Sequence, residues 1–297
     1  MIALTWGSNF IMMKIAREAF GPISIGAGRT LLGAVVLAVM WWARRRRTGE
    51  TWPLHRRHMA HVLVVVLIGY VYPYAMQPYL IGKTGNSGFI GMMPALVPLI
   101  TILVSAPMLR VHPTKRQLAG VLGGLACMTL VFYDALDTKG FTPPDLLFAC
   151  AVPTTYAIAN TYVKRYLTGI PATALSLAAL GICAAIMLPV GLALEPIVVT
   201  DRFPLAVVML VIFGTLGTGV ATVLFYKLIH DHGPLFAGMV SYLIPIVALL
   251  LGVADGEDLS ATQIAALAGI LAMVALVQLS SPKPQPKEAI VEPLEQA

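Results

Sequence analysis

Long apolar stretches alternate along this chain with short segments rich in Gly, Pro and charged residues. A helix needs about 20 mainly apolar residues to cross the hydrocarbon layer of a bilayer. Ten stretches reach about that length, so the pattern predicts an all-α membrane protein with ten transmembrane helices. Five of them precede residue 140 and five follow it. Their approximate bounds are 2–19, 23–43, 60–82, 86–108, 117–135, 145–165, 171–193, 204–226, 234–253 and 262–280.

The second half of the chain repeats the first. Pro98 recurs 147 positions later as Pro245, and 117–131 aligns without gaps to 263–277 with seven of fifteen residues identical. Because each repeat holds an odd number of helices, the two copies are expected to lie in opposite orientations, as in many secondary transporters. The predicted units are a first five-helix repeat, a second five-helix repeat and a Pro-rich, disordered cytoplasmic tail, at residues 1–137, 138–280 and 281–297.

Composition also indicates a membrane protein, since 58% of the 297 residues are hydrophobic and 11% are charged. Soluble domains average roughly 45 to 50% apolar and 25% charged residues. The net charge of +6 does not predict nucleic-acid binding, because the basic residues lie between apolar stretches and form no single basic face. The predicted partners are therefore the lipid bilayer and a small-molecule substrate. A monomer is compatible with the sequence, which sets no oligomeric state.

Basic residues also predict the orientation. Fourteen of the twenty Lys and Arg residues, including the run Arg44 to Arg47, fall in segments that are cytoplasmic if both chain termini lie inside. Cytoplasmic loops carry the excess of Lys and Arg in membrane proteins. We therefore expect a multi-pass protein of the cell (inner) membrane with both termini in the cytoplasm.

Motifs of catalysis are missing from the sequence, which contains no HExxH, GxSxG or GxxxxGK[ST] pattern. His55, His58 and His61 lie beside Arg56 and Arg57 and are interpreted as a solvated basic rim, since no Cys or carboxylate nearby completes a metal-ligand set. The three cysteines lie in apolar stretches with no spacing for a disulfide framework. The sequence thus predicts no enzyme activity, no catalytic residue, no metal and no cofactor.

Acidic residues are also informative. All fourteen Asp and Glu fall in predicted loops, tails or helix ends. Proton-coupled pumps commonly use an acid within the membrane as the proton site. A pump built on a mid-helix glutamate is therefore disfavoured, and facilitated diffusion is as compatible with the sequence as active export.

Two segments resemble a known family. The stretch WGSNFIMMKIAREAFGPISIGAGRTLL, residues 6–32, resembles the opening of EamA-type members of the drug/metabolite transporter superfamily, and residues 237–276 resemble that family's second signature. The resemblance covers about residues 2–280. It implies a ten-helix carrier, often an exporter, of amino acids and other small metabolites. The second signature is matched at Gly238, Pro245, Gly252, Glu257 and Gly269.

The third predicted helix carries several polar aromatic groups. At 100° per residue, Tyr70, Tyr74 and Gln77 share one face, whereas Tyr72 and Tyr79 belong to another. An amide facing lipid would lose hydrogen bonds at a cost of a few kcal/mol, so Gln77 should face another helix or water. We predict that Tyr74, Gln77 and Tyr79 bind substrate, with an interfacial aromatic belt as the alternative for Tyr79.

Further candidate substrate-binding residues combine aromatic, amide and hydroxyl groups at membrane depth. Such groups could stack on and hydrogen-bond a small amphipathic solute. Packing between helices is the alternative, because amides also form hydrogen bonds across membrane bundles. The remaining candidates are Trp6, Asn9, Tyr156, Asn160, Ser241 and Tyr242.

Pro98 and Pro245 are predicted hinges. Each lacks an amide proton and so frees a carbonyl four residues earlier, on Pro94 and on Ser241. Freed carbonyls at membrane depth are tolerated beside a water-filled cavity, although a packed kink is the alternative.

Arg29 lies inside the second predicted helix, where a charge must be paired or hydrated. Three interpretations are open: it contacts an anionic group of the substrate, it pairs with Glu18, or its side chain reaches the outer surface. Pairing with Glu18 and extension to the outer surface, taken together, are favoured over contact with the substrate.

These observations predict a multi-pass membrane transporter of small metabolites. Export of amino acids, aromatic ones among them, is the leading class, by alternating access around a midplane cavity. The alternative is a membrane-embedded scaffold or receptor that binds a ligand without transporting it.

Overall fold

The computed structural model describes residues 1–49, 51–138, 141–258 and 260–278, and among these residues the only regular secondary structure is helical. The predicted tail at 281–297 lies outside the described residues. In the first half the helices are α1 (Ile2–Ala16), α2 (Pro22–Thr48), α3 (Arg56–Val66), α4 (Tyr72–Thr84), α5 (Ser87–Gly91), α6 (Val97–Leu109) and α7 (Lys115–Thr138). In the second half they are α8 (Pro143–Tyr166), α9 (Ala172–Leu194), α10 (Phe203–Ile212), α11 (Ala221–His232), α12 (Pro234–Gly238), α13 (Leu243–Ala254) and α14 (Ala261–Gln278).

Several of these helices join through short irregular segments. A first π-helical segment, Leu67–Val71, connects α3 to α4, and a second, Phe213–Val220, connects α10 to α11. A 3₁₀ segment, Met93–Leu96, connects α5 to α6, and another, Met239–Tyr242, connects α12 to α13. The π segments start at 67 and 213 and the 3₁₀ segments at 93 and 239, so both pairs are separated by 146 positions.

The protein is a multi-pass membrane protein by the length and composition of its helices. Six described helices are long and apolar enough to cross a membrane, and two shorter helices are also apolar. The all-α membrane class expected from the sequence is thereby confirmed. The six are Pro22–Thr48, Arg56–Thr84, Ser87–Leu109, Pro143–Tyr166, Ala172–Leu194 and Phe203–His232, and the shorter two are Val240–Ala254 and Ala261–Val277.

Packing brings helices of the two halves together. α2 lies along α9, and α7 lies along α14. α1 packs against α13 and α10, and in the same way α8 packs against α6 and α4. Two groups of buried apolar side chains hold this arrangement, one around Phe89 and Phe213 and the other around Leu175 and Leu180. Trp6 packs against both groups, so α1 lies between them.

α2 crosses the second π-helical segment with its backbone almost in contact. A Cβ atom on Gly33 would lie 3.1 Å from the nitrogen of Gly219 and 3.2 Å from the carbonyl oxygen of Gly214. Small residues permit such close approach between membrane helices. The crossing brings Arg29, one turn before Gly33, next to Thr218.

Glu257, in the connection between α13 and α14, ties three helices together. Its carboxylate lies 2.7 Å from the ammonium of Lys14, which also pairs with Asp255. The same carboxylate accepts hydrogen bonds of 2.8 Å from the backbone nitrogens of Ser87 and Gly88 and from the Ser87 hydroxyl. The last turn of α1 and the first turn of α5 therefore meet at Glu257.

Further charged contacts lie at the same end of the molecule, which we call the ion-paired end. Lys83, four residues before Ser87, pairs with Asp145 in the first turn of α8. Glu195, just after α9, accepts hydrogen bonds of 2.9 and 2.7 Å from the first backbone nitrogens of α2, on Ile23 and Ser24. The remaining pair is formed by Glu18 and Arg202, 2.7 Å apart.

Candidate functional site

An internal cavity of about 90 Å³ lies between helices of both halves. Its lining is mainly aromatic and aliphatic, with amide and hydroxyl groups and one charged side chain. The lining residues are Trp6, Asn9, Phe10, Met13, Arg29, Gly69, Tyr70, Tyr74, Gln77, Pro94, Val97, Tyr156, Ala159, Asn160, Thr222, Phe225, Tyr226, Ser241 and Ile244.

Most of the residues singled out in the sequence meet at this cavity. Substrate contact by these residues stays a prediction, because no ligand defines it, but their convergence from separate helices is a property of the fold. The eight that line the cavity are Trp6, Asn9, Arg29, Tyr74, Gln77, Tyr156, Asn160 and Ser241.

Four predicted site residues lie away from the lining. Tyr79 is 40% exposed on the outer surface of α4, which favours the belt interpretation over substrate contact. Tyr242 packs against the buried apolar group around Phe89. Pro98 and Pro245 are buried, each one residue after a lining residue. The residues whose carbonyls these prolines free, Pro94 and Ser241, both line the cavity.

Gly217 in the second π-helical segment is bound by two side chains of α1. Its carbonyl accepts a hydrogen bond of 2.9 Å from Trp6 Nε1 and one of 3.4 Å from Asn9 Nδ2. A π-turn shifts the backbone pairing by one residue and so presents carbonyls to other partners. Trp6 also packs its ring against Phe225, with centroids 4.7 Å apart. The sequence offered helix packing and cavity lining as alternatives. Trp6 and Asn9 do both.

Two tyrosines that sequence reasoning left out also form the lining. Tyr70 donates a hydrogen bond of 2.7 Å to the hydroxyl of Tyr226, and both side chains are buried. The signal for Tyr70 was present, because it shares a helical face with Tyr74 and Gln77. A signal for Tyr226 was also present, because it lies 147 positions after Tyr79, yet the two differ in the fold: Tyr226 is buried and Tyr79 faces outward.

Gln77 finds its partner inside the protein, as predicted. Its side-chain oxygen accepts a long hydrogen bond of 3.4 Å from the hydroxyl of Tyr156, which comes from α8 in the second half. The side chain of Gln77 is 4% exposed. This contact joins the two halves across the cavity.

Among the described residues that line the cavity, Arg29 is the only charged one. It is 4% exposed, and its Nε donates a hydrogen bond of 3.0 Å to Thr218 Oγ1. The guanidinium carbon lies 3.7 Å from the ring centre of Tyr74 and 4.0 Å from that of Phe213. Pairing with Glu18 and extension to the surface, the two favoured interpretations, are both wrong. Glu18 pairs instead with Arg202 at the ion-paired end.

Metal-binding groups do not gather in the described residues, where no three His, Cys, Asp or Glu side chains come together. His61 of the predicted basic rim lies 2.8 Å, through Nδ1, from the hydroxyl of Tyr162 and stacks on Tyr166. His61 is thus part of an aromatic cluster between α3 and α8.

Membrane-crossing helices around an internal cavity define a polytopic membrane protein. Comparison with known proteins gives the family: the EamA-like transporter family is matched twice, by residues 1–133 and by residues 144–279, and the chain belongs to it. The resemblance expected from the sequence is confirmed, and the chain is a transporter and not an enzyme.

Individual relatives are more distant. The chain is 24% identical over 281 residues to the uncharacterized inner membrane transporter YedA of Escherichia coli (strain K12), covering 93% of this chain and 88% of YedA. It is 23% identical over 256 residues to the uncharacterized transporter YoaV of Bacillus subtilis (strain 168), covering 84% of this chain and 85% of YoaV. A protein of known crystal structure superposes with a TM-score of 0.68 at 21% identity over 94% of each chain, which shows a shared fold.

Proposed function

We propose that this protein moves a small amphipathic metabolite across the inner membrane by alternating access around the cavity, with export of amino acids, aromatic ones among them, as the leading class. The observation that carries the proposal is one cavity whose aromatic, amide and hydroxyl groups come from both halves of a transporter-family chain. Sites of this kind, mostly apolar with a few polar groups, suit small solutes. The apolar helices and the similarity to the inner membrane transporter YedA support the proposed location in the inner membrane.

The proposed mechanism uses two five-helix repeats, residues 1–137 and 138–280, in opposite orientations. Several features support it: the family matches the chain twice, and the π and 3₁₀ segments recur at equal spacing. At the ion-paired end, α1 terminates near Lys14, whereas α8 begins near Asp145. Corresponding helices thus run in opposite directions relative to that end. Alternating access by rocking of one repeat against the other follows from this arrangement.

The orientation in the membrane is part of the proposal. Arg44 to Arg47 at the end of α2 lie away from the ion-paired end, where α2 begins. Because cytoplasmic loops carry the excess of Lys and Arg, we propose that the ion-paired end faces outside and that both termini lie inside.

Tyr74→Ala is expected to reduce solute flux by at least about tenfold, because it removes a cavity wall and the ring beneath Arg29. Flux is measured in proteoliposomes with a solute panel that includes aromatic amino acids, with and without a proton gradient. Tyr79→Ala is the matched control, since it removes the same side chain from the outer surface of the same helix.

Equal flux in the Tyr74→Ala and Tyr79→Ala variants would remove Tyr74 from the transport site. Binding of a panel solute to the purified protein without uptake into liposomes would replace the transport proposal with the scaffold or receptor alternative.

A further inference from the structure

We infer that the solute bound in the cavity carries a carboxylate, and that Arg29 binds this group through the two Nη atoms of its guanidinium. The inference rests on the proposed transport function and names the chemical class that the cavity accepts. Arg29 supplies the charge, and its surroundings determine which part of the guanidinium a ligand can reach.

Two aromatic rings and one hydroxyl hold the guanidinium. The rings of Tyr74 and Phe213 lie 3.7 and 4.0 Å from its central carbon, and Nε is bound to the hydroxyl of Thr218. Thr218 is held in turn, because its hydroxyl donates a hydrogen bond of 3.1 Å to the Phe213 carbonyl. Arg29 lines the cavity, and its Nη atoms make no hydrogen bond or ion pair with any described residue, so these N–H groups are the donors left for a ligand.

Within the described residues, the protein supplies no counter-charge to Arg29. Arginine stays protonated in proteins, and a charge within the membrane is costly unless it is paired. The cavity lining contains no carboxylate. Glu18, the nearest acid along the chain, pairs with Arg202 at the ion-paired end, and Glu195 accepts hydrogen bonds there from the first turn of α2. A bound anion would supply the missing charge.

A carboxylate fits this site better than a phosphate group. The two Nη atoms present parallel N–H donors that match the two oxygens of a carboxylate. A phosphate ester carries up to two negative charges at neutral pH, whereas Arg29 is the only cation of the lining. The body of the ligand would then lie against the aromatic walls formed by Trp6 and Phe225.

Matched pairs of carboxylates and amides test the inference on the unaltered protein. The probes are 3-phenylpropionate with 3-phenylpropionamide, and isobutyrate with isobutyramide, so that both an aromatic and a smaller aliphatic body are covered. Thermal stabilisation of the purified full chain gives the apparent Kd. At least one carboxylate is expected to bind about tenfold or more tightly than its amide, because the amide lacks the charge-assisted pair. Equal stabilisation by acid and amide, or none by either carboxylate, would overturn the inference.

Substitutions at Arg29 give a second measurement. Arg29→Gln is expected to abolish the preference for the acid over the amide, and Arg29→Lys to retain part of it, since the charge remains but the two-pronged geometry is lost. Lys227→Gln, which removes an exposed cation from α11, is the matched control and should preserve the preference. If Arg29→Gln does not fold, the comparison of carboxylate and amide binding to the unaltered protein still tests the inference.

Failure of this inference is distinguishable from failure of the transport proposal. Uptake of neutral or cationic solutes, with no binding of the carboxylates, would leave transport intact and overturn the role of Arg29. Carboxylate binding that depends on Arg29 but is followed by no uptake would support the site and contradict transport.

Discussion

Glu257→Gln is expected to destabilise the protein by about 1–3 kcal/mol, the cost of leaving buried hydrogen-bond donors without an acceptor. The side chain of Glu257 is 4% exposed, and its carboxylate accepts hydrogen bonds from Lys14, Ser87 and Gly88. A glutamine amide retains the shape but removes the charge and turns donors toward donors. Thermal unfolding of the detergent-solubilised protein measures the loss.

Glu18→Gln is the control for this prediction. Glu18 also pairs with a cation at the ion-paired end, but the Glu18 side chain is 35% exposed and the Arg202 side chain 61% exposed. Exposed pairs are worth about 0–1 kcal/mol. If both variants lost the same stability, Glu257 would contribute no more than a surface ion pair.

Acidic pH should weaken the same contact. Burial opposes ionisation of Glu257, but hydrogen bonds from Lys14, Gly88 and Ser87 outweigh it and hold the pKa of this carboxyl below its ordinary value of 4.5. The unfolded chain therefore takes up the proton at higher pH than the folded one. The stabilisation by Glu257 is complete above about pH 4.5 and is lost as pH falls through the lower, folded-state pKa. Unfolding curves from pH 7 to pH 3 should show this loss in the parent protein and not in Glu257→Gln.

Gly33→Val is expected to prevent α2 from packing on the second π-helical segment, with a loss of about 3 kcal/mol or more. An added Cβ would lie 3.1 Å from the nitrogen of Gly219 and 3.2 Å from the carbonyl oxygen of Gly214, and the two methyl groups of valine extend further. Backbone atoms cannot move aside as a flexible side chain can. The yield of monodisperse protein in size-exclusion chromatography and its unfolding temperature measure the effect.

Gly181→Val provides the comparison, because Gly181 lies inside α9 and a Cβ there would have no atom within 4 Å. Valine has a better helix propensity than glycine, so this variant should be as stable as the parent or slightly more so. A Gly33→Val protein with normal yield and unfolding temperature would show that the crossing can open without cost.

The sequence could predict the all-helical membrane class and eight of the residues that line the cavity, because both follow from local patterns. The third predicted span, 60–82, falls within the observed helix Arg56–Thr84. The face shared by Tyr74 and Gln77 follows from helical periodicity alone, and that face lines the cavity.

What could not be predicted depends on contacts between distant segments. The π-helical turns require partners for displaced carbonyls, and for Gly217 these partners come from α1, more than 200 positions earlier. Arg29 is a second example. The sequence showed that a charge at this depth in the membrane is energetically unfavourable, but its neighbours Tyr74, Phe213 and Thr218 are known only from the folded chain.

Trp6 and Tyr74 come from the first half of the chain, and Tyr156 and Ser241 come from the second, yet all four enclose one chamber. A substitution on either side therefore alters the same ligand environment, so a change in one half alone changes what the whole site prefers. Across relatives, we expect these positions to change together, while positions facing lipid diverge independently.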